Sequence, residues 1–324
     1  MGGELRRLAA GCLLPGFPGA VPPDWIRRWL QDGLGGVVLY RRNVVDAGQV
    51  RRLTAALAAE SDALLVAVDE EGGDVTRLEA AGVSASPGAA ALGAADEPAL
   101  TEAVARALGA DLAALGVNLD LAPVADVNTN PANPIVGVRA FGADPGLVAR
   151  HVAAFVRGLQ AAGLGACAKH FPGHGDTAAD SHLELPSVAA GPETLAAREL
   201  VPFRAAIEAG VRAVMTAHVL VPALDQVPAT VSRRVLHDLL RCELRFAGLI
   251  VTDALEMRAV SAALGVEETA VRALAAGADA LCLGHDLGEE ALARVADAVV
   301  SAVRGGRLAE ERLAEAAARV RAAA

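Results

Sequence analysis

Short aliphatic runs recur along the chain, each followed by a loop and then by a stretch where Ala, Leu and Arg repeat at helical spacing. The runs fall at 8–14, 36–40, 63–69, 117–122, 165–170, 213–218, 249–253 and 280–284. They are nearly continuous rather than alternating, as expected of strands in a parallel sheet buried on both faces. Amphipathic stretches at 46–61, 101–115, 145–162, 192–209, 232–245, 266–276 and 289–304 predict the intervening helices. Gly163, Gly210 and Gly277 stand just before strands, where a glycine closes the preceding helix. Eight strand–loop–helix units predict an α/β fold, a (β/α)8 TIM-type barrel in a single domain over 1–324, with a last helix at 309–323 packed outside it. A doubly wound open sheet is the alternative. It requires a glycine-rich phosphate loop after the first strand, and Pro15-Gly16-Phe17-Pro18-Gly19 lacks that spacing.

Composition narrows the function. Hydrophobic residues make up 53% of the 324, and glycine and proline are spread throughout, so no linker divides the chain. A net charge of −10 excludes a binder of nucleic-acid phosphates. Cys12, Cys167, Cys242 and Cys282 lie in apolar settings without CxxC spacing and read as reduced core residues. Arg6-Arg7 followed by Leu8-Ala9-Ala10-Gly11-Cys12 loosely resembles a lipoprotein leader, but lacks the apolar stretch of roughly 7–15 residues that one needs. No run approaches the roughly 20 apolar residues of a membrane span. These features predict a cytoplasmic protein without a membrane partner.

In a barrel of this kind, chemistry collects at the C-terminal ends of the strands. There the third run ends in Asp69-Glu70-Glu71-Gly72-Gly73, the fifth in Lys169-His170, the sixth in His218 and the seventh in Asp253, and His285 follows the eighth. Charged groups at buried strand ends are costly unless paired or used. Lys169 is also the single lysine in a chain with 29 Lys and Arg, and three of the seven histidines (His170, His174, His182) follow it closely. Five such groups on one rim predict an active site. His151 and His285 read as structural, and Glu71 as a residue that orients its neighbours. The arginine pairs (Arg6-Arg7, Arg27-Arg28, Arg51-Arg52, Arg233-Arg234) read as solvated helix faces.

Three chemistries fit these groups. His170, His174, Asp176 and His182 suggest a metal, but Pro172, Gly173 and Gly175 do not hold ligands in helical register and no conventional ligand set is completed. The metal and cofactor expectation is therefore none. A Schiff base at Lys169 needs a neutral amine, which Asp176 or Asp253 would oppose. The third is glycoside hydrolysis: Asp253 attacks an anomeric carbon, and a second group protonates the leaving oxygen and later activates water. Asp180-Ser181-His182 offers a histidine for that second role, with Asp180 to orient its ring and raise its basicity.

Lys169-His170-Phe171-Pro172-Gly173-His174-Gly175-Asp176-Thr177, with Asp180-Ser181-His182 and Leu185-Pro186 beyond it, resembles the signature of glycoside hydrolase family 3. More narrowly, it is similar to the bacterial β-N-acetylhexosaminidases of that family. Val68-Asp69-Glu70-Glu71-Gly72-Gly73 with Thr76-Arg77-Leu78, the segment from Asn118 to Val127, and Arg139-Ala140-Phe141-Gly142 agree in order. The resemblance implies a barrel without a second domain and a retaining exo-β-N-acetylglucosaminidase acting on cell-wall, muropeptide-like fragments. It implies Asp253 as nucleophile and His182 as acid/base with Asp180 as its dyad partner. It further implies that Asp69, Arg77, Arg139, Lys169 and His170 hold the terminal sugar, and that His218 and Met257 line the same pocket. The partner expected is thus a small carbohydrate. Three departures stand out: Glu70 and Asp74 add acidic residues, Ala254 replaces a second aspartate after the nucleophile, and aromatic residues are only 3%. Glu256, three residues past Asp253, partly stands in for that missing aspartate or is a solvated helix residue. Phosphorolysis through the same intermediate, a β-glucosidase, and a non-catalytic sugar-binding barrel are the competing functions.

Overall fold

A computed structural model of the protein describes residues 2–82, 86–178, 185–285 and 287–324. Among the described residues, eight short parallel strands occur in chain order: β1 Leu13–Leu14, β2 Gly36–Leu39, β3 Leu65–Val68, β4 Leu119–Asp120, β5 Gly165–Phe171, β6 Ala213–Thr216, β7 Leu249–Thr252 and β8 Leu281–Cys282. β2 to β7 form one curled sheet in sequential order, and β1 pairs with β8 in a second. Between the two sheets, Val38 N–H donates to Pro15 O at 3.0 Å, and Thr252 N–H donates to Ala280 O at 2.9 Å. The expected α/β single-domain architecture is present as a curled parallel sheet surrounded by helices.

Alternate strand residues separate into two apolar layers, as period-two geometry requires. Leu65, Ala67, Leu119, Leu121, Ala213, Met215, Leu249 and Val251 form an inner cluster. The neighbouring positions, such as Val66, Val68, Val214 and Ile250, face outward and pack with the helices. Several helix starts are set locally. Asp46 accepts from Gln49 N before the helix Ala47–Ala58, and Asp144 accepts from Leu147 N before Pro145–Ala161. The helix Glu310–Ala323 sits outside the sheet and caps its N-terminal end, where Val320 joins the inner cluster.

The structure departs from the pattern at identifiable points. The run expected as a first strand at 8–14 divides into a helix, Gly2–Ala10, and the two-residue β1. Leu5, Ala9 and Ala10 are buried at helical spacing while Arg6 pairs with Asp297, so the segment takes the helical period. The helix Asp24–Gln31 is not among the predicted helices, although Trp25, Ile26, Trp29 and Leu30 recur at helical spacing over its eight residues. The stretch at 192–209 is a helix interrupted by a π-helical segment, Leu195–Glu199. Cys12, Cys167 and Cys282 are buried as expected, but Cys242 is exposed.

Candidate active site

A cavity of about 750 Å³ opens at the C-terminal ends of the strands. Its walls bring together Asp69, Arg77, Arg139, Lys169, His170, Asp253 and Met257 from four different strand ends (β3, β4, β5 and β7) or the loops beyond them. Leu121, Met215 and Cys282 of the inner layer supply part of its apolar lining, and Val75 and Ile135 on the loops supply more. All seven of these polar or sulfur-bearing residues were expected here from sequence. His218 is not part of the lining; it stands behind it, with Nε2 3.0 Å from Ala254 O and Nδ1 2.7 Å from Thr230 Oγ1. Asp180 and His182 lie outside the described residues.

Lys169 organises one wall. The residue is 1% exposed, and its ammonium lies 2.7 Å from Asp69 Oδ1 and 2.6 Å from Glu71 Oε1. Arg139 closes the other side of Glu71 with two parallel bonds, Nε to Oε2 at 2.8 Å and an Nη to Oε1 at 2.7 Å. Burial alone would discharge the lysine, but Asp69 and Glu71 reverse that and hold its pKa above the ordinary amine value. Burial likewise opposes ionisation of Glu71, and Lys169 and Arg139 overcome it, leaving this carboxyl well below the usual range. A lysine held charged is a hydrogen-bond donor rather than a Schiff-base nucleophile, which removes that reading. Glu71 therefore orients Lys169 and Arg139, as its sequence context suggests.

Asp253 is half-buried just past β7 and lines the same cavity. Its Oδ1 accepts the amide N–H of Ala254 at 2.7 Å. Burial raises its pKa, but His218, His170, the Ala254 amide and Lys169 together outweigh burial and keep the carboxyl below its ordinary value. The group is an anion held in a cavity, which is the state a nucleophile requires.

The histidine-rich segment is built around Asp126, which sequence reasoning did not single out. Asp126 Oδ2 holds His170 Nδ1 at 2.7 Å, and its Oδ1 accepts the backbone N–H of His174 at 2.7 Å. An ionisable residue inside the otherwise apolar run after β4 was the available signal. His174 Nδ1 turns to Thr177 Oγ1 at 2.8 Å, and Asp176 to Arg198 at 2.6 Å, so these side chains are directed at different partners. Tyr40, Arg41, Arg42 and Arg258 also line the cavity and were not expected there; His285, placed on this rim but read as structural, and Glu256, left open between two roles, line it as well. Glu256 is not a solvated helix residue: a Cβ on Gly284 would overlap its carboxyl, and only glycine fits at that φ of +60°. His285 is exposed on the cavity wall, whereas His151 is structural, fully buried between Thr101 and Phe141.

Residues 19–323 match the sequence profile of the glycosyl hydrolase family 3 N terminal domain. The chain belongs to glycosyl hydrolase family 3. As a member it is a glycoside hydrolase. A β-hexosaminidase of Stenotrophomonas maltophilia is 40% identical over 289 residues, covering 86% of this chain and 85% of that protein. A β-N-acetylhexosaminidase structure from Beutenbergia cavernae is 34% identical with a TM-score of 0.88, covering 98% of each chain. The structure of a family 3 β-N-acetylglucosaminidase from a Paenibacillus species is 46% identical with a TM-score of 0.95. That alignment takes in 98% of this chain but 62% of the Paenibacillus protein, so the chain spans about three-fifths of that relative's length. Among the described residues, no helix of this family 3 member is long and apolar enough to cross a membrane.

Proposed function

We propose that this family 3 hydrolase is a retaining exo-β-N-acetylglucosaminidase that removes terminal N-acetylglucosamine from muropeptide-like cell-wall fragments in the cytoplasm. The observation that carries the reading is that an anionic Asp253 and the Lys169–Asp69–Glu71–Arg139 cluster line one cavity. The names of the relatives support the choice of sugar. Asp69, Lys169, Arg139, Arg77 and His170 supply donors and acceptors for its hydroxyl groups, with His218 behind the nucleophile and Met257 against the ring. We read the framework as a (β/α)8 barrel whose ring is completed by hydrogen bonds from β1 and β8 to the six-stranded sheet.

In the first step, the free oxygen of Asp253 forms a bond to the anomeric carbon as the glycosidic oxygen leaves. His182, oriented by Asp180, gives its proton to that oxygen. In the second step, water adds to the anomeric carbon, gives a proton back to His182, and the bond to Asp253 breaks. Sugar and alcohol are released, and both groups return to their starting states. The cavity mouth carries Arg41, Arg42 and Arg258 in a chain of net charge −10, which favours an aglycone bearing carboxylates. The same cations favour one second reading, in which phosphate replaces water and sugar 1-phosphate is the product.

Chromophore release from an aryl β-N-acetylglucosaminide, followed with and without phosphate, tests these readings. Phosphate-independent release supports the hydrolase. Strong phosphate stimulation with sugar 1-phosphate as product replaces it by the phosphorylase. Absence of release from folded protein overturns the substrate.

A further inference from the structure

The segment that carries His170 and His174 rests on a buried carboxyl group that the proposed chemistry does not use. Glu199 ends the π-helical segment Leu195–Glu199 and is 1% exposed. Its Oε1 accepts from Arg198 Nε at 2.6 Å, while Oε2 is buried without a hydrogen-bond partner among the described residues. That second oxygen is pressed against the backbone of the histidine-rich turn. A Cβ built on Gly173 would lie 2.8 Å from Glu199 Oε2 and 2.9 Å from its Cβ. Gly173 also has a φ of +130°, so the turn is confined to glycine by its backbone and by this side chain together.

The contact leads directly to the cavity. Gly173 precedes His174, whose amide donates to Asp126 Oδ1, and Asp126 Oδ2 holds His170 Nδ1. His170 lines the cavity and is one of the groups that keeps Asp253 anionic. Arg198 meanwhile serves two carboxylates, with an Nη 2.6 Å from Asp176 Oδ2 and Nε on Glu199. One cation is thus shared between two acids of the same locality, a third, Asp126, being close by. The charged groups facing Glu199 are Arg198 on its own turn, Asp176 on the loop after β5 and Asp126 on the loop after β4. The helix Pro145–Ala161, which packs against the same turn, contributes no ion pair to it among the described residues.

We propose that Glu199 is a positioning residue whose neutral form seats the Gly173–His174 turn under His170 and whose ionised form displaces it. The inference rests on the glycosidase reading only for its activity readout. A neutral Glu199 leaves Arg198 to Asp176 and adds no third negative charge beside Asp126. An ionised one forces a desolvated carboxylate oxygen against a backbone that offers it no donor. Burial, with Asp126 and Asp176 adding to it, raises this carboxyl to about 7 against the pull of Arg198, so both forms are populated near neutrality.

The test is Glu199→Gln, which keeps the shape of the neutral acid and cannot ionise. With an aryl β-N-acetylglucosaminide, the ratio of its kcat/KM to that of the wild type should rise between pH 6 and pH 8. For a single group with its midpoint near 7 and an inactive ionised form, the rise is up to about tenfold. In the wild-type protein without substrate, the backbone amide shift of Gly173 should titrate over the same range, and in Glu199→Gln it should be flat. A pH-independent ratio, or a Gly173 amide that does not move in the wild type, overturns the proposal. If Glu199→Gln fails to fold, the wild-type amide titration alone decides. Wild-type protein without turnover refutes the glycosidase reading instead, and the amide titration still decides this one.

Discussion

The two ends of the strands both bury a carboxylate among cations, and they use the arrangement differently. At the N-terminal end Asp279, fully buried just before β8, receives Arg241, Arg312 and Arg319 together with the amide of Ile250. The two last arginines come from the helix that caps this end, and Asp279 does not line the cavity at the other end. At the C-terminal end Lys169 joins Asp69 to Glu71, and Arg139 completes the chain, with Asp253 and His170 facing the same open space. Arg77 Nε on that wall is buried and unpartnered among the described residues. Density of buried charge therefore does not mark the functional end. Polar capacity left facing a cavity does, because an unsatisfied donor is tolerated only where a ligand or water meets it.

The comparison is broken most severely by exchanging the expected outcomes. Asp253→Ala should reduce kcat/KM by at least about 10⁴-fold while the thermal midpoint stays within a few degrees, since the residue is half-buried and its removal strands no full partner. Asp279→Ala should do the reverse. Leaving three arginines without their anion should lower stability by about 3–5 kcal/mol, with KM unchanged in the protein that remains folded. Calorimetry and steady-state kinetics on both variants read this directly. A catalytic defect in folded Asp279→Ala, or a large melting shift in Asp253→Ala, would dissolve the distinction between the two ends.

Lys169→Met sharpens it, because Lys169 belongs to both categories. Stability should fall by about 3–5 kcal/mol as Asp69 and Glu71 lose their shared cation, and turnover should fall as well. The pH dependence has a definite sign. Glu71 is depressed in the folded state, so its contribution is present above the unfolded carboxyl value and is lost as pH falls through its folded value. Without Lys169 that folded value rises, and acid unfolding should begin at a higher pH than in the wild type. An acid-unfolding midpoint that does not move would show that Arg139 alone sets the state of Glu71.

The sequence exposes the active end better than the inactive one, for a physical reason. Strand-end residues such as Asp69, Lys169 and Asp253 stand out as charges closing apolar runs, and all three line one cavity. Their partners are less visible. Glu71 meets Arg139 across a separation of 68 residues, and Asp126 meets His170 across 44, so only the curled sheet brings them together. Asp279 is harder still, because two of its arginines lie on a helix whose pattern reads simply as amphipathic. The segment at 8–14 misleads because Leu8, Ala9 and Ala10 belong to a helix face that runs directly into β1. Glu199 carries no sequence signal, since its importance rests on a π-helical turn and a glycine contact.

The finest test of the comparison concerns a hydroxyl group, that of Thr230, which holds His218 behind Asp253. His218 Nε2 lies 3.0 Å from Ala254 O, a pure acceptor, so that nitrogen carries a hydrogen. Nδ1 meets Thr230 Oγ1, whose own hydroxyl is 2.9 Å from Ala217 O. With the hydroxyl proton on Ala217 O, Nδ1–H donates to Thr230 and the ring is positive beside Asp253. Thr230→Val removes that acceptor and favours the neutral ring, so Asp253 loses the first of the charges that oppose its burial. The folded value of the Asp253 carboxyl then rises, and the acid limb of kcat/KM should move to higher pH. The loss at neutral pH should be under about tenfold, with roughly 1–3 kcal/mol of stability lost from the severed buried hydrogen bonds. An unmoved acid limb with the expected loss of stability would place His218 with Asp279, as a structural partner, rather than with the groups that prepare Asp253.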